Sequence, residues 1–138
     1  MRTIKFRAWD KETSRFISTE ELVFDKKGNI KGIVTNHEEE NGTGFYREIS
    51  RIGLGEFTGL KDKNGKEIYE GDIVRFRGHS WDIDGNHYHP IKTEKIVFEG
   101  GAFDCNYRYE EDCYDVGWEE VEVIGNIYEN KELLMEGN

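Results

Sequence analysis

The sequence predicts a mainly β protein: an N-terminal sheet of hairpins, a barrel-like second half and a short C-terminal helix. Three observations carry this. Short runs alternate apolar and polar residues at the period of two that a half-buried strand requires, as in Ile4, Phe6 and Ala8 against Lys5 and Arg7. Glycine and polar turn residues, rather than long helical patterns, separate those runs. The apolar fraction of 36% draws on Phe 8, Tyr 7 and Trp 3, bulk that suits sheets better than helix bundles. At 138 residues the chain fits a single unit, 1–138, that can bury a core without disulfide or metal staples. Within it, 1–56 reads as the N-terminal sheet and 57–138 as the barrel-like half.

In chain order, IKFRAW is a strand, Asp10 to Ser14 a polar turn, and Arg15 to Ser18 the return strand. ELVFDKKGNIKGIVT is a hairpin with positive φ expected at Gly28 or Asn29. The polar, glycine-containing run from Asn36 to Gly44 is a loop. FYREISRIGL, from Phe45, satisfies both helical and strand spacing, and periodicity alone does not choose between them. Gly59, Gly65 and Gly71 then recur at six-residue intervals in FTGLKDKNGKEIYEGDIVRF. A phosphate-binding P-loop needs Gly-Lys-Ser/Thr after four intervening residues and a helix beyond. Here the spacing is one residue too long and Glu67 follows Lys66, so the glycines read as turns. Asn64-Gly65 predicts a type I′ hairpin turn, and Glu70-Gly71-Asp72 resembles the turn entering a strand of SH3-like barrels, with Asp72 folding back onto backbone N–H groups. A loop from His79 to Pro90, three further strand-like runs and a helix capped by Asn130 and docked through Leu133 and Leu134 complete the chain.

Charge is uneven. Residues 1–78 hold 15 Lys+Arg against 14 Asp+Glu, whereas 79–138 hold 4 against 15. An acidic second half repels phosphate backbones, which argues against direct nucleic-acid binding through it and favours a protein partner with a basic surface. No apolar run reaches the roughly 18 residues of a membrane span and the N-terminus is charged, so a soluble cytoplasmic protein is expected. The Cys 2 content also fits a reducing compartment.

The best metal-like constellation is His79, Asp82, Asp84, His87 and His89, whose imidazoles and carboxylates suit zinc or iron. The competing reading is a polar hairpin tip, since DIDGN is a good turn by itself. Cys105 and Cys113 lack a CxxC spacing or an adjacent histidine, and the run YEEDCYD reads as a solvated face. Lys5, Arg7, Trp9, Arg15 and Phe16 could form a stacking surface for single strands, although aromatic residues in small sheets are more often core. No catalytic residue and no cofactor emerge.

IKFRAWD near the start, FTGLKDKNGKEIYEGDIV in the middle and VIGNIYENKELL near the end together resemble the hallmark segments of the YopX family of phage and prophage proteins. That family often reads Asn-Pro-Glu-Leu-Leu in the last segment; here Lys131 stands at the proline position. The resemblance implies a β-rich accessory protein acting in the host cytoplasm and transfers no catalytic residue. Its shared residues, including Trp9, Gly59, Leu60, Asp62, Gly65, Ile68, Tyr69, Gly71, Asp72, Gly125 and Asn126, are of types that build turns and cores. The expected activity is non-enzymatic binding of a host or phage protein, with homo-oligomerisation compatible. An acidic DNA mimic that inhibits a host DNA-binding protein and a metal-dependent enzyme using the His79–His89 loop stand as alternatives.

Overall fold

The computed structural model describes residues 3–36, 44–99, 102–104 and 120–135, with backbone alone at 44, 78–82, 86–90, 99 and 102–104. Among them are strands and short 3-10 turns, which bears out the mainly β reading with curled antiparallel sheets. The chain divides into two compact units, Ile4–Glu56 and a second made of Met1–Thr3 with Phe57–Asn138.

In the first unit, β1 (Phe6–Asp10) pairs with β2 (Arg15–Ile17), and β3 (Glu21–Phe24), β4 (Ile30–Asn36) and β5 (Gly44–Glu48) form a three-stranded sheet. The ambiguous FYREISRIGL stretch resolves into β5, a 3-10 turn at Ile49–Arg51 and the start of β6 (Ile52–Lys61). Pairing decides it: Phe45 and Arg47 register with Thr35 and Ile33, while Ile52 and Leu54 register with Asp10 and Ala8. Ala8, Ile17, Ile33 and Ile52 form the core, with Leu22 and Leu54 against it. Trp9 lies outside this core. It meets Phe16 edge-on at 5.0 Å, and the Arg7 guanidinium sits 4.8 Å from the same ring.

In the second unit, the latter part of β6 pairs with β7 (Glu67–Tyr69), and β8 (Asp72–Asp82) runs between β9 (Gly85–Lys95) and β12 (Glu122–Asn126). β10 (Val97–Glu99) and β11 (Ala102–Asp104) make a separate two-stranded ladder. Ile68, Val74, Phe76, Ile96 and Val121 are the core, with Val123 packed on it. Burying a side chain of this size contributes roughly 1.5–3 kcal/mol, so five such positions make this a genuine hydrophobic nucleus.

Three expectations need correction: the loop at His79 to Pro90, the type I′ turn at Asn64-Gly65 and the Asn130 cap. The loop placed at His79 to Pro90 is mostly strand: β8 and β9 pair as far as Asp82 and Gly85, leaving a turn at Ile83 and Asp84. Cross-strand pairing of β-prone residues outweighs the local polarity, and Pro90 falls where the register shifts, a place that needs no ladder N–H. The Asn64-Gly65 turn is not type I′, because that type needs positive φ at both residues and only Gly65 has it, at 82°. Asp62 organises it instead: its carbonyl accepts the Gly65 N–H at 3.0 Å, and its Oδ1 accepts the Asn64 and Lys66 N–H groups at 2.9 Å.

The same device appears at Asp25, whose carbonyl accepts the Gly28 N–H at 3.1 Å and whose Oδ1 accepts those of Lys27 and Asn29. Gly28 carries the positive φ, 86°. The C-terminal helix is one 3-10 turn, Lys131–Leu134, with Leu133 and Leu134 half-buried. Asn130 does not cap it; its Oδ1 accepts the Asn126 N–H at 3.2 Å instead.

Candidate interaction surface

Alternation along β8 sends Val74 and Phe76 into the core and leaves Arg75 and Arg77 exposed on the other side. Register then assembles a surface. Arg75 stands between Glu122 of β12 and Thr93 of β9, and Arg77 stands opposite Ile91. Lys63 arrives from the β6–β7 turn, held by its own N–H bond to the Val121 carbonyl at 2.9 Å.

Glu122 is the centre. Its Oε2 accepts from Arg75 Nη2 at 3.0 Å and lies 3.3 Å from Lys63 Nζ. Hydrogen bonds from Arg75 and then Lys63 hold its carboxyl below the ordinary value. These side chains, with Phe76, Arg77, Ile91 and Glu120, line a shallow cavity of about 180 Å³. Ile91 is 53% exposed at its rim.

A larger depression of about 380 Å³ in the first unit is lined by Glu12, Tyr46, Arg47, Glu48 and Arg51. Arg51 and Glu12 pair there at 2.9 Å with both side chains more than half exposed, which makes the pair weak. Tyr46 donates its hydroxyl to the Lys31 carbonyl at 3.1 Å, and Arg47 sits 5.8 Å from the Phe45 ring.

Of the sequence-predicted metal set, Asp84 is exposed in the β8–β9 turn. His79 and Asp82 fall on β8 and His87 and His89 on β9, with His79 opposite Tyr88 and His87 opposite Ser80. Their side chains lie outside the described residues. Among the described residues no group of three His, Cys, Asp or Glu could hold a metal ion. Cys105, Cys113 and the whole YEEDCYD run also lie outside the described residues. No helix among the described residues is long and apolar enough to cross a membrane.

Sequence reasoning missed Lys63, Arg75, Arg77, Ile91 and Glu122 as a group. The period-two pattern of IVRFR carries the exposure of both arginines, but nothing local brings Glu122 to Arg75, 47 residues away.

The middle and C-terminal hallmark segments, by contrast, meet each other as framework. Asp72 accepts the Tyr69 N–H through Oδ2 at 2.7 Å, reaching back three residues rather than forward, and pairs in register with Asn126. The Ile127 N–H donates to the Gly71 carbonyl at 2.9 Å, and Asn126 Oδ1 accepts from Tyr128 and Glu129. A Cβ on Gly125 would come within 2.5 Å of Asn130 Oδ1. No curated protein matches the chain. The solved protein EF1440 from Enterococcus faecalis is similar at 29% identity and a TM-score of 0.63, over 97% of this chain and 99% of that one. The sequence profile of the YopX protein family matches residues 5–135, so the chain belongs to the YopX family.

Proposed function

We propose that this is a phage or prophage accessory protein that acts without catalysis, in the host cytoplasm, by binding another protein. The observation that carries this reading is the open, mixed surface on β12, β8 and β9. Arginine beside an exposed aliphatic residue, in a shallow depression rather than a deep pocket, is the chemistry of a protein contact. Overall charge adds a second support, because a net charge of −10 steers basic partner surfaces toward the chain and away from polyphosphates.

The test is affinity purification of the tagged full chain from host cells, with and without nuclease. Enrichment of one stoichiometric protein that survives nuclease is the expected result. Absence of any enriched protein would sink the reading. A captured DNA-binding protein released by added DNA would favour the DNA-mimic alternative, and stoichiometric zinc or iron by elemental analysis would favour a metal-dependent enzyme centred on His79, His87 and His89.

A further inference from the structure

We propose that the exposed face of β12, β8 and β9 docks an acidic, extended segment of the partner protein, gripped by Arg75, Arg77 and Lys63 and seated on Ile91. This rests on the binding function above and specifies one local contact within it, a basic patch on an otherwise acidic chain whose overall charge still favours a partner that is basic elsewhere. Arg75 and Arg77 lie two positions apart on one strand and share its exposed side. A strand rises about 3.3 Å per residue, so the arginines repeat at about 7 Å. An extended peptide presents alternate side chains at that same repeat, so carboxylates two residues apart meet the two guanidinium groups in register.

One carboxylate position is already marked by the chain itself. Glu122 Oε2 sits between Arg75 and Lys63 at 3.0 and 3.3 Å, which shows that the two cations converge on a single oxyanion. Arg77 forms no ion pair among the described residues. Ile91, its register partner, offers an apolar contact beside that guanidinium. The occupant therefore carries a few carboxylates spaced among apolar residues. A nucleic acid fits less well, because with Glu120 and Glu122 beside them the three cations leave too little local positive charge for a continuous run of phosphates, whereas a few spaced carboxylates need only individual guanidinium contacts.

Fluorescence anisotropy of the full chain tests this, using a labelled peptide of alternating glutamate and valine. A lysine–valine peptide of equal length and a labelled oligothymidine serve as comparators. The glutamate peptide is expected to bind, more weakly as salt rises, with R77E lowering its affinity about tenfold. E122Q is expected to raise affinity about threefold by releasing Arg75 and Lys63. Both positions are at the surface, and thermal melts check that each variant folds.

Equal binding by wild type and R77E, no binding of the glutamate peptide, or preference for oligothymidine overturns the assignment. So does a self-associated form in sedimentation that R77E dissociates, since a second copy would then be the occupant. A partner protein that still co-purifies with R77E would leave the binding function standing while removing this surface from it.

Discussion

Asp62 joins two distant parts of the chain: its Oδ2 accepts the Val123 N–H at 2.9 Å, across 61 residues, while its Oδ1 serves the turn that begins at Asp62 itself. Asp25 builds the same turn and, among the described residues, reaches no further. The pair is a natural experiment in which local chemistry is held constant and tertiary engagement differs.

Asp62→Ala leaves three backbone N–H groups without their carboxylate acceptor, one of them on β12. The expected loss is about 2–4 kcal/mol in urea unfolding. Asp25→Ala, in an exposed turn, is expected to cost less than half as much. Equal losses at the two sites would show that the Val123 bond contributes nothing.

Acid stability follows from carboxyls held below their ordinary value. At Asp62, burial pushes the carboxyl up, but the N–H groups of Val123, Lys66 and Asn64 outweigh it. At Asp10, burial is outweighed by the Glu12 N–H, the Thr13 hydroxyl and N–H, and nearby Arg47. At Asp25 the Asn29 N–H leads. Each contribution is complete above the unfolded value near pH 4 and disappears as pH falls through the lower folded values. Thermal melts are therefore expected to hold down to about pH 5 and to collapse below about pH 4, and D62N is expected to flatten that acid limb.

Glu94 has the opposite sign. It pairs in register with the fully buried Val74, and desolvation raises its carboxyl above the ordinary value despite Lys92 and Lys95. Its ionisation therefore opposes folding as pH rises through the unfolded value and beyond. E94Q is expected to raise the melting temperature at pH 7 by about 2 °C, a gain of roughly 0.5 kcal/mol after allowance for solvent screening, and to have no effect near pH 4.

Gly125 and Asn130 are coupled by space. A Cβ on Gly125 would come within 2.8 Å of Asn130 Cβ as well as 2.5 Å of its Oδ1, so rotating the side chain does not relieve the contact. G125A is expected to cost about 1–3 kcal/mol. Combining it with N130G should recover part of that loss, because the obstructing atoms are gone. Purely additive losses in the double variant would place the cost elsewhere.

How much of this was readable from residues alone depends on the range of the cause. The strands, the turns beginning at Asp10, Asp25 and Asp62, and the positive φ of Gly28 are set within a few residues by alternation, short carboxylates and the absent Cβ of glycine. Family membership was legible for the same reason, since its hallmark segments are these local devices. Local reasoning failed where pairing partners lie far apart. FYREISRIGL satisfied two periodicities until Thr35, Ile33 and Ala8 supplied its ladders, and the His79 to Pro90 stretch looked like a loop until β8 and β9 paired along it. The cluster of Lys63, Arg75 and Glu122 belongs to the same class. Loop-closing contacts of this length carry no signature in either segment, because the free energy that selects them is the burial of Val74, Phe76 and Val121 beneath them.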